Sequence, residues 1–359
     1  MTLRNGDWWI AVTLWIVTGV SFAAESNYTV VQYDAEGKTA IGLALVHGSD
    51  ASLILATDGQ LVHIDNKETA HRIRAVEESF QPATIVELRS SLQREFGSEF
   101  EIVATKHFLV VQNRGRGNQW PNTFESLHSE FTSKLARQGV VIRKGRFPLV
   151  AVVFADRVAL QNELARQDIP AANVAGIYVL ATNRVYTCDI GNQSRTLPVI
   201  RHEAAHQSAY NSNVHSRLNV TPKWITEGLG MMFEPAAMTI AASSPIDDRV
   251  HRDALAALQN RYGDDRFKLA SDMRQMIAGD SWFDRVESID AAYHVSWLMM
   301  YSMSRYHSEK FARLLNHTNT RPPFVDYPAD QRVKDFEAIM GQSIETYATS
   351  TFRLLKSIR

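Results

Sequence analysis

The stretch RHEAAHQSAYNSNVHSRLNVTPKWITEGLG, residues 201–230, restricts the possible folds more than any other part of the chain. His202 and His206 stand four positions apart, so on a helix their imidazoles leave one face about a turn apart and can share one ion, with Glu203 beside them. Thr196 as a cap and Pro198 in the first turn predict that helix. A catalytic zinc ion takes three protein ligands and keeps one position open, so the two histidines need a further partner. Glu227, twenty-one positions after His206, is placed to be that partner. Thr221 and Pro222 start a second helix, and residues 207–220 are long enough to turn the chain back. An amphipathic helix with solvated histidines would show the same four-residue spacing, but Glu227 counts against it.

Before the motif the pattern is mixed. KTAIGLALVHGSDASLILATDGQLVHI (38–64) alternates short apolar runs with the turn clusters Gly48-Ser49-Asp50 and Asp58-Gly59, which predicts hairpin-linked strands and a small antiparallel β module over 27–75. A polar run follows, and Ile85, Leu88, Leu92 and Phe96 then recur at helical spacing. The boundary therefore falls near residue 80, with a second domain over 82–359. FEIVAT, HFLVVQ and FPLVAVVFA read as strands interleaved with helices at about 121–138 and up to about 166. GIYVLATNRVYTCD reads as a strand pair, with RVYTCD as an edge strand on which an extended peptide could hydrogen-bond. From residue 196 onward nearly every segment has helical periodicity, with Gly341 as a stop in FEAIMGQSIETYATSTFRLL. Mixed β first and helices last, with the motif at the junction, predicts an α+β fold.

Charge removes one class of partner. Lys plus Arg, 38, nearly cancels Asp plus Glu, 39, so no overall basic field exists to hold nucleic acid. The N-terminus predicts export: MTLR is a positive start, WWIAVTLWIVTGVSF is an apolar run too short for a stable span, and Ser21-Phe22-Ala23 is a small-x-small cleavage site. Residues 1–23 are thus expected to be a signal peptide and the mature protein to be periplasmic or secreted. Asp7 beside the apolar run is atypical, and an uncleaved signal would be the one membrane attachment. The single cysteine, Cys188, has no internal disulfide partner and reads as a small buried strand residue.

HEAAH followed by WITEG resembles the gluzincin zinc peptidases. From about residue 84 to the C-terminus, through AGIYVLATNRVY, PKWITEGLGMMFE and YHVSWLMMYSM, the chain also resembles an exported bacterial family with a peptidase-MA-like domain, a domain of unknown function. The resemblance implies a zincin-like domain, a Zn2+ ion held by His202, His206 and Glu227, Glu203 as general base, and hydrolysis of peptide or protein substrates. Many gluzincins carry an acidic residue four after the glutamate ligand. Met231 stands there in this chain, and Glu234, further along, is the candidate for that supporting place. In the gluzincin aminopeptidases a tyrosine some sixty residues beyond the glutamate ligand stabilises the oxyanion. Tyr293, sixty-six beyond Glu227, is the corresponding candidate, His294 the second one, and simple packing of Tyr293 on Trp297 and Met300 the alternative to both. A metzincin site would need a histidine where Ser212 stands.

A rival reading makes the protein a non-catalytic envelope-binding module on a zincin scaffold. The remaining features read more plainly: His215 as a loop histidine, Met231, Met232, Met299 and Met300 as core, and QNRGRGNQWPN as a solvated loop. Gly228 and Gly230 either allow close packing near the site or kink their helix.

Overall fold

The computed structural model describes residues 28–35, 38–65, 73–169, 174–236 and 249–358. The expected signal peptide at 1–23 lies outside the described residues.

The first sheet comprises β1 (Thr29–Ala35), β2 (Lys38–His47), β3 (Ala51–Ala56), β4 (Leu61–Asp65) and β5 (Arg74–Ala75), in the order β4-β3-β2-β1-β5 with every neighbour antiparallel. The two turn clusters seen in the sequence close the β2–β3 and β3–β4 hairpins. Alternate residues Val31 and Tyr33 bury with Ala44 and Ile54 to form a small core.

The second sheet is interleaved with helices. Its elements run α1 (Ile85–Phe96), β6 (Phe100–Ala104), β7 (Phe108–Asn113), α2 (Gln119–Arg137), β8 (Leu149–Phe154), α3 (Arg157–Arg166), β9 (Gly176–Val179) and β10 (Arg184–Cys188). A capping box between Thr84 and Glu87 starts α1. The strand order is β6-β7-β8-β10-β9, with β7, β8 and β10 mutually parallel and the two outer strands antiparallel. β8 is buried throughout because helices cover both of its faces. Leu149, Ala151 and Val153 join the core that contains α2 residues, whereas Val150, Val152 and Phe154 join Leu88, Leu92, Leu160 and Leu164 from α1 and α3. Sequence expectation fails at one strand here. RVYTC, β10, lies inside the sheet between β8 and β9, and the edge on that side belongs to β9. β10 is buried at all five residues, which suits an inner strand and not an edge.

Helices follow: α4 (Gln193–Asn211), α5 (Lys223–Phe233), α6 (Arg252–Tyr262), α7 (Arg266–Ala278), a 3₁₀ turn (Ser281–Asp284), α8 (Ile289–Tyr306), α9 (Ser308–Asn319), α10 (Ala329–Met340) and α11 (Ile344–Ser357). The molecule is thus α+β, with an antiparallel sheet first, a mixed sheet second and a helical C-terminal half. Gly341 ends α10 in the left-handed conformation, φ 64°. α4 starts earlier than Thr196 and Pro198 suggest. Its cap is Asn192, whose side chain accepts the Ser194 N–H, while the Thr196 hydroxyl bonds back to the Asn192 carbonyl from inside the helix. No helix among the described residues is long and apolar enough to cross a membrane.

Candidate metal centre

α4 lies against β9 and presents His202 and His206 to α5, which carries Glu227. The approach of the two helices is set by Gly230. A Cβ at that position would lie 2.8 Å from the His202 ring, so only a glycine leaves the imidazole its place. Gly228, two residues back and so on the opposite side of the helix, does the same toward α8, where a Cβ would lie 2.5 Å from the Ser296 carbonyl oxygen. Both glycines serve close packing, and α5 runs unbroken through them.

The three donor atoms converge. His202 Nε2 lies 2.9 Å from His206 Nε2 and 3.2 Å from Glu227 Oε2, and His206 Nε2 lies 3.4 Å from the same oxygen. Donors held about 2.0–2.2 Å from a tetrahedral ion are separated by roughly 3.3 Å, so this triangle fits a small divalent cation. Two ring nitrogens and a carboxylate oxygen aimed at one point repel unless a proton or a cation lies between them. Their side chains are only 12%, 11% and 19% exposed, which sharpens that repulsion. They form the group of histidines and carboxylates best arranged for metal among the described residues.

Ionisation within the group follows from these contacts. Burial raises the Glu227 carboxyl, but the charge of His206 and hydrogen bonds from His202 and His206 overcome it and hold the group well below the ordinary carboxylate range. For His202, burial disfavours charge, yet Glu227 and Glu234 together raise its pKa well above the usual imidazole value. A cation would take the place of that shared proton.

Glu203 stands beside the triangle. Its Oε2 accepts the Tyr178 backbone N–H at 2.7 Å, so the carboxylate is tied to the open edge of the second sheet. Tyr293 reaches the site from α8. Its hydroxyl hydrogen-bonds to Glu227 and its ring lies between Phe283, at 5.6 Å, and His202, at 6.2 Å. Burial, then the charges of Glu227 and Glu203, raise its pKa well above that of a free phenol, so it stays a donor. Trp297, its expected packing partner, stacks instead on Tyr301. The pKa of His294, next to Tyr293, is lowered, by burial first and then by the charge of His251, against the opposing charges of Asp290 and Glu234.

Residues 196–325 match the family described as "Protein of unknown function (DUF1570)". The match begins inside α4 and ends just after α9, so it contains His202, Glu203, His206, Glu227, Glu234 and Tyr293. No curated protein matches the chain significantly.

Two features escaped the sequence. His251, at the start of α6, donates toward Glu234 from 2.9 Å, and Glu234 in turn accepts from His202 Nδ1 at 2.8 Å. Its nearest sequence signal, a histidine just before a helical run, lacks the Ser, Thr, Asn or Asp that marks a cap. His215 is a loop residue but not a solvated one. It is 1% exposed against Tyr210, makes no hydrogen bond among the described residues through either ring nitrogen, and is held neutral by burial, its pKa pulled down to about 3. Cys188 is buried too, and burial pushes its thiol up to about 11, which leaves it unreactive.

Proposed function

We propose that this protein is an exported zinc metallopeptidase of the gluzincin type, acting on peptides or proteins outside the cytoplasm. The observation that carries this reading is the convergence of His202, His206 and Glu227 on one point beside a carboxylate, Glu203, that is anchored to a free sheet edge. The donor set suits zinc, which favours imidazole nitrogen and carboxylate oxygen in a four-coordinate site with one open position. When bound, the ion supplies Lewis acidity toward a water molecule and toward the carbonyl under attack.

The rest of the chemistry belongs to the chain. Edge strand β9 is paired with β10 on one side only, so its other side, where Glu203 already holds the Tyr178 N–H, is the side an extended peptide would take alongside α4. Glu203 keeps Oε2 on the Tyr178 N–H and uses Oε1, which has no partner among the described residues, to accept the proton of the attacking water and hand it to the leaving amine. The Tyr293 hydroxyl, drawn to Glu227 in the resting site, is positioned to turn to the developing oxyanion. Glu234 holds His202 in the orientation that presents Nε2.

The test combines metal analysis of purified protein with hydrolysis of casein and a broad peptide library, with and without chelator. One bound zinc per chain and chelator-sensitive cleavage are expected. Glu203→Gln should keep the zinc and lose about 10²- to 10⁴-fold in rate, the usual contribution of a positioned base. Zinc without cleavage would move the protein to the class of binding modules built on a zincin scaffold, and absence of zinc would remove the reading altogether.

A further inference from the structure

We infer that His251 is a positioning residue for the metal centre: as the cap of α6 it fixes the Glu234 carboxylate, and through it the tautomer of His202. This inference rests on the metal reading above.

A neutral imidazole carries one proton, and His202 can offer Nε2 to a cation only if that proton sits on Nδ1. Glu234 Oε1, 2.8 Å from Nδ1, favours that tautomer, provided the carboxylate stays where it is. Glu234 follows the last residue of α5, where side chains are weakly constrained, so its hold must come from elsewhere. Two contacts supply it. Its backbone carbonyl accepts Arg201 Nε at 2.6 Å, from the residue next to His202, and its second carboxylate oxygen lies 2.9 Å from His251 Nε2.

The proton on His251 Nε2 is itself determined by backbone geometry. His251 is the N-cap of α6, and its Nδ1 accepts the Ala254 N–H at 3.3 Å. A backbone N–H can only donate, so His251 Nδ1 must be the acceptor and Nε2 the nitrogen that bears hydrogen. That hydrogen points at Glu234. The His251 ring is also wedged edge-on against Trp297 of α8, at 6.1 Å, and Trp297 is fully buried. The order of dependence is therefore helix end, His251, Glu234, His202, ion. Serine, threonine, asparagine or aspartate would cap α6 at least as well, but the first three are too short to reach Glu234 and aspartate would repel it. Histidine accepts at one end and donates at the other over this span.

The experiment measures zinc affinity in the full-length protein by competition with a chromophoric chelator, alongside thermal unfolding of the metal-free form. His251→Asn keeps a capping side chain and loses the reach. Its metal-free unfolding temperature should stay near that of wild type while zinc binds about 10- to 100-fold more weakly, as expected when an outer partner of a ligand is removed. Glu234→Gln should weaken zinc to a similar degree, and the double variant should be no weaker than Glu234→Gln alone, because both lie on one line of contacts. Zinc bound by His251→Asn as tightly as by wild type overturns the inference and leaves the metal reading standing. So do independent, additive losses, which would show His251 acting by a route other than Glu234. A wild-type protein that binds no zinc overturns both.

Discussion

At the scale of one atom, Tyr293 allows the proposed metal holding and the proposed chemistry to be tested apart. Its hydroxyl is in contact with Glu227, yet is not itself one of the three converging donors. Tyr293→Phe removes only that hydroxyl, so zinc content and thermal stability should remain while kcat falls about 10²- to 10³-fold, the loss typical of a missing oxyanion donor. Wild-type turnover in this variant, with His294→Ala inactive, would transfer the role to the histidine. The pairing of His202 and His206 beside Glu203 was legible in the sequence because their spacing within α4 is local. Glu227 was legible because a turn signal, Thr221-Pro222, announces its helix. His251 was not, since its role depends on the meeting of the α5 and α6 ends in space, and no local pattern encodes that.

At the scale of elements, the site depends on how closely α5 can approach its two neighbours. Glycine inside a helix costs about 1 kcal/mol relative to alanine, so on propensity alone Gly228→Ala should stabilise the protein. Packing opposes this. The new methyl would lie 2.5 Å from the Ser296 carbonyl, a backbone atom with no rotamer to yield, and such overpacking costs about 1–3 kcal/mol or more. The expected net result is a lower urea midpoint for Gly228→Ala. For Gly230→Ala the obstructed group is the His202 ring, 2.8 Å away, so the main expected effect is weaker zinc binding. A rise in stability at Gly228, or unchanged zinc affinity at Gly230, would mean that α5 has slack. Elsewhere the sequence misled where neighbours decide the outcome. Alternation in RVYTC fits an inner and an outer strand alike, and only the pairing of β10 with both β8 and β9 tells which it is. Thr196 and Pro198 have the residue types of a helix start, but Asn192, a stronger cap placed earlier, starts α4 first.

At the scale of the whole molecule, the β3–β4 turn joins the first sheet to the surroundings of the site. The β3–β4 turn inserts at the end of the second sheet where β9 finishes: Leu61 N–H bonds to the Ala181 carbonyl at 2.7 Å, and Arg217, just beyond α4, bonds to the Gly59 carbonyl at 2.7 Å. Ala181 lies in the turn of the β9–β10 hairpin, three residues past Tyr178, whose N–H holds Glu203. The turn therefore braces the edge strand that positions Glu203. Gly59 makes this fit possible for two reasons. Its φ of 89° lies in the left-handed region that costs other residues about 1–2 kcal/mol, and a Cβ there would meet the Phe147 ring at 2.9 Å. Gly59→Ala should loosen the turn from the second sheet. Hydrogen exchange is then expected to speed up at the Leu61 amide and, more weakly, at the Tyr178 amide, while Val152 in the middle of β8 stays protected. If the proposed chemistry holds, peptide hydrolysis should fall with zinc content unchanged, because the ligands on α4 and α5 do not touch the turn. Exchange at Leu61 and Tyr178 identical to wild type would show that the first sheet is held by other contacts and leaves β9 alone.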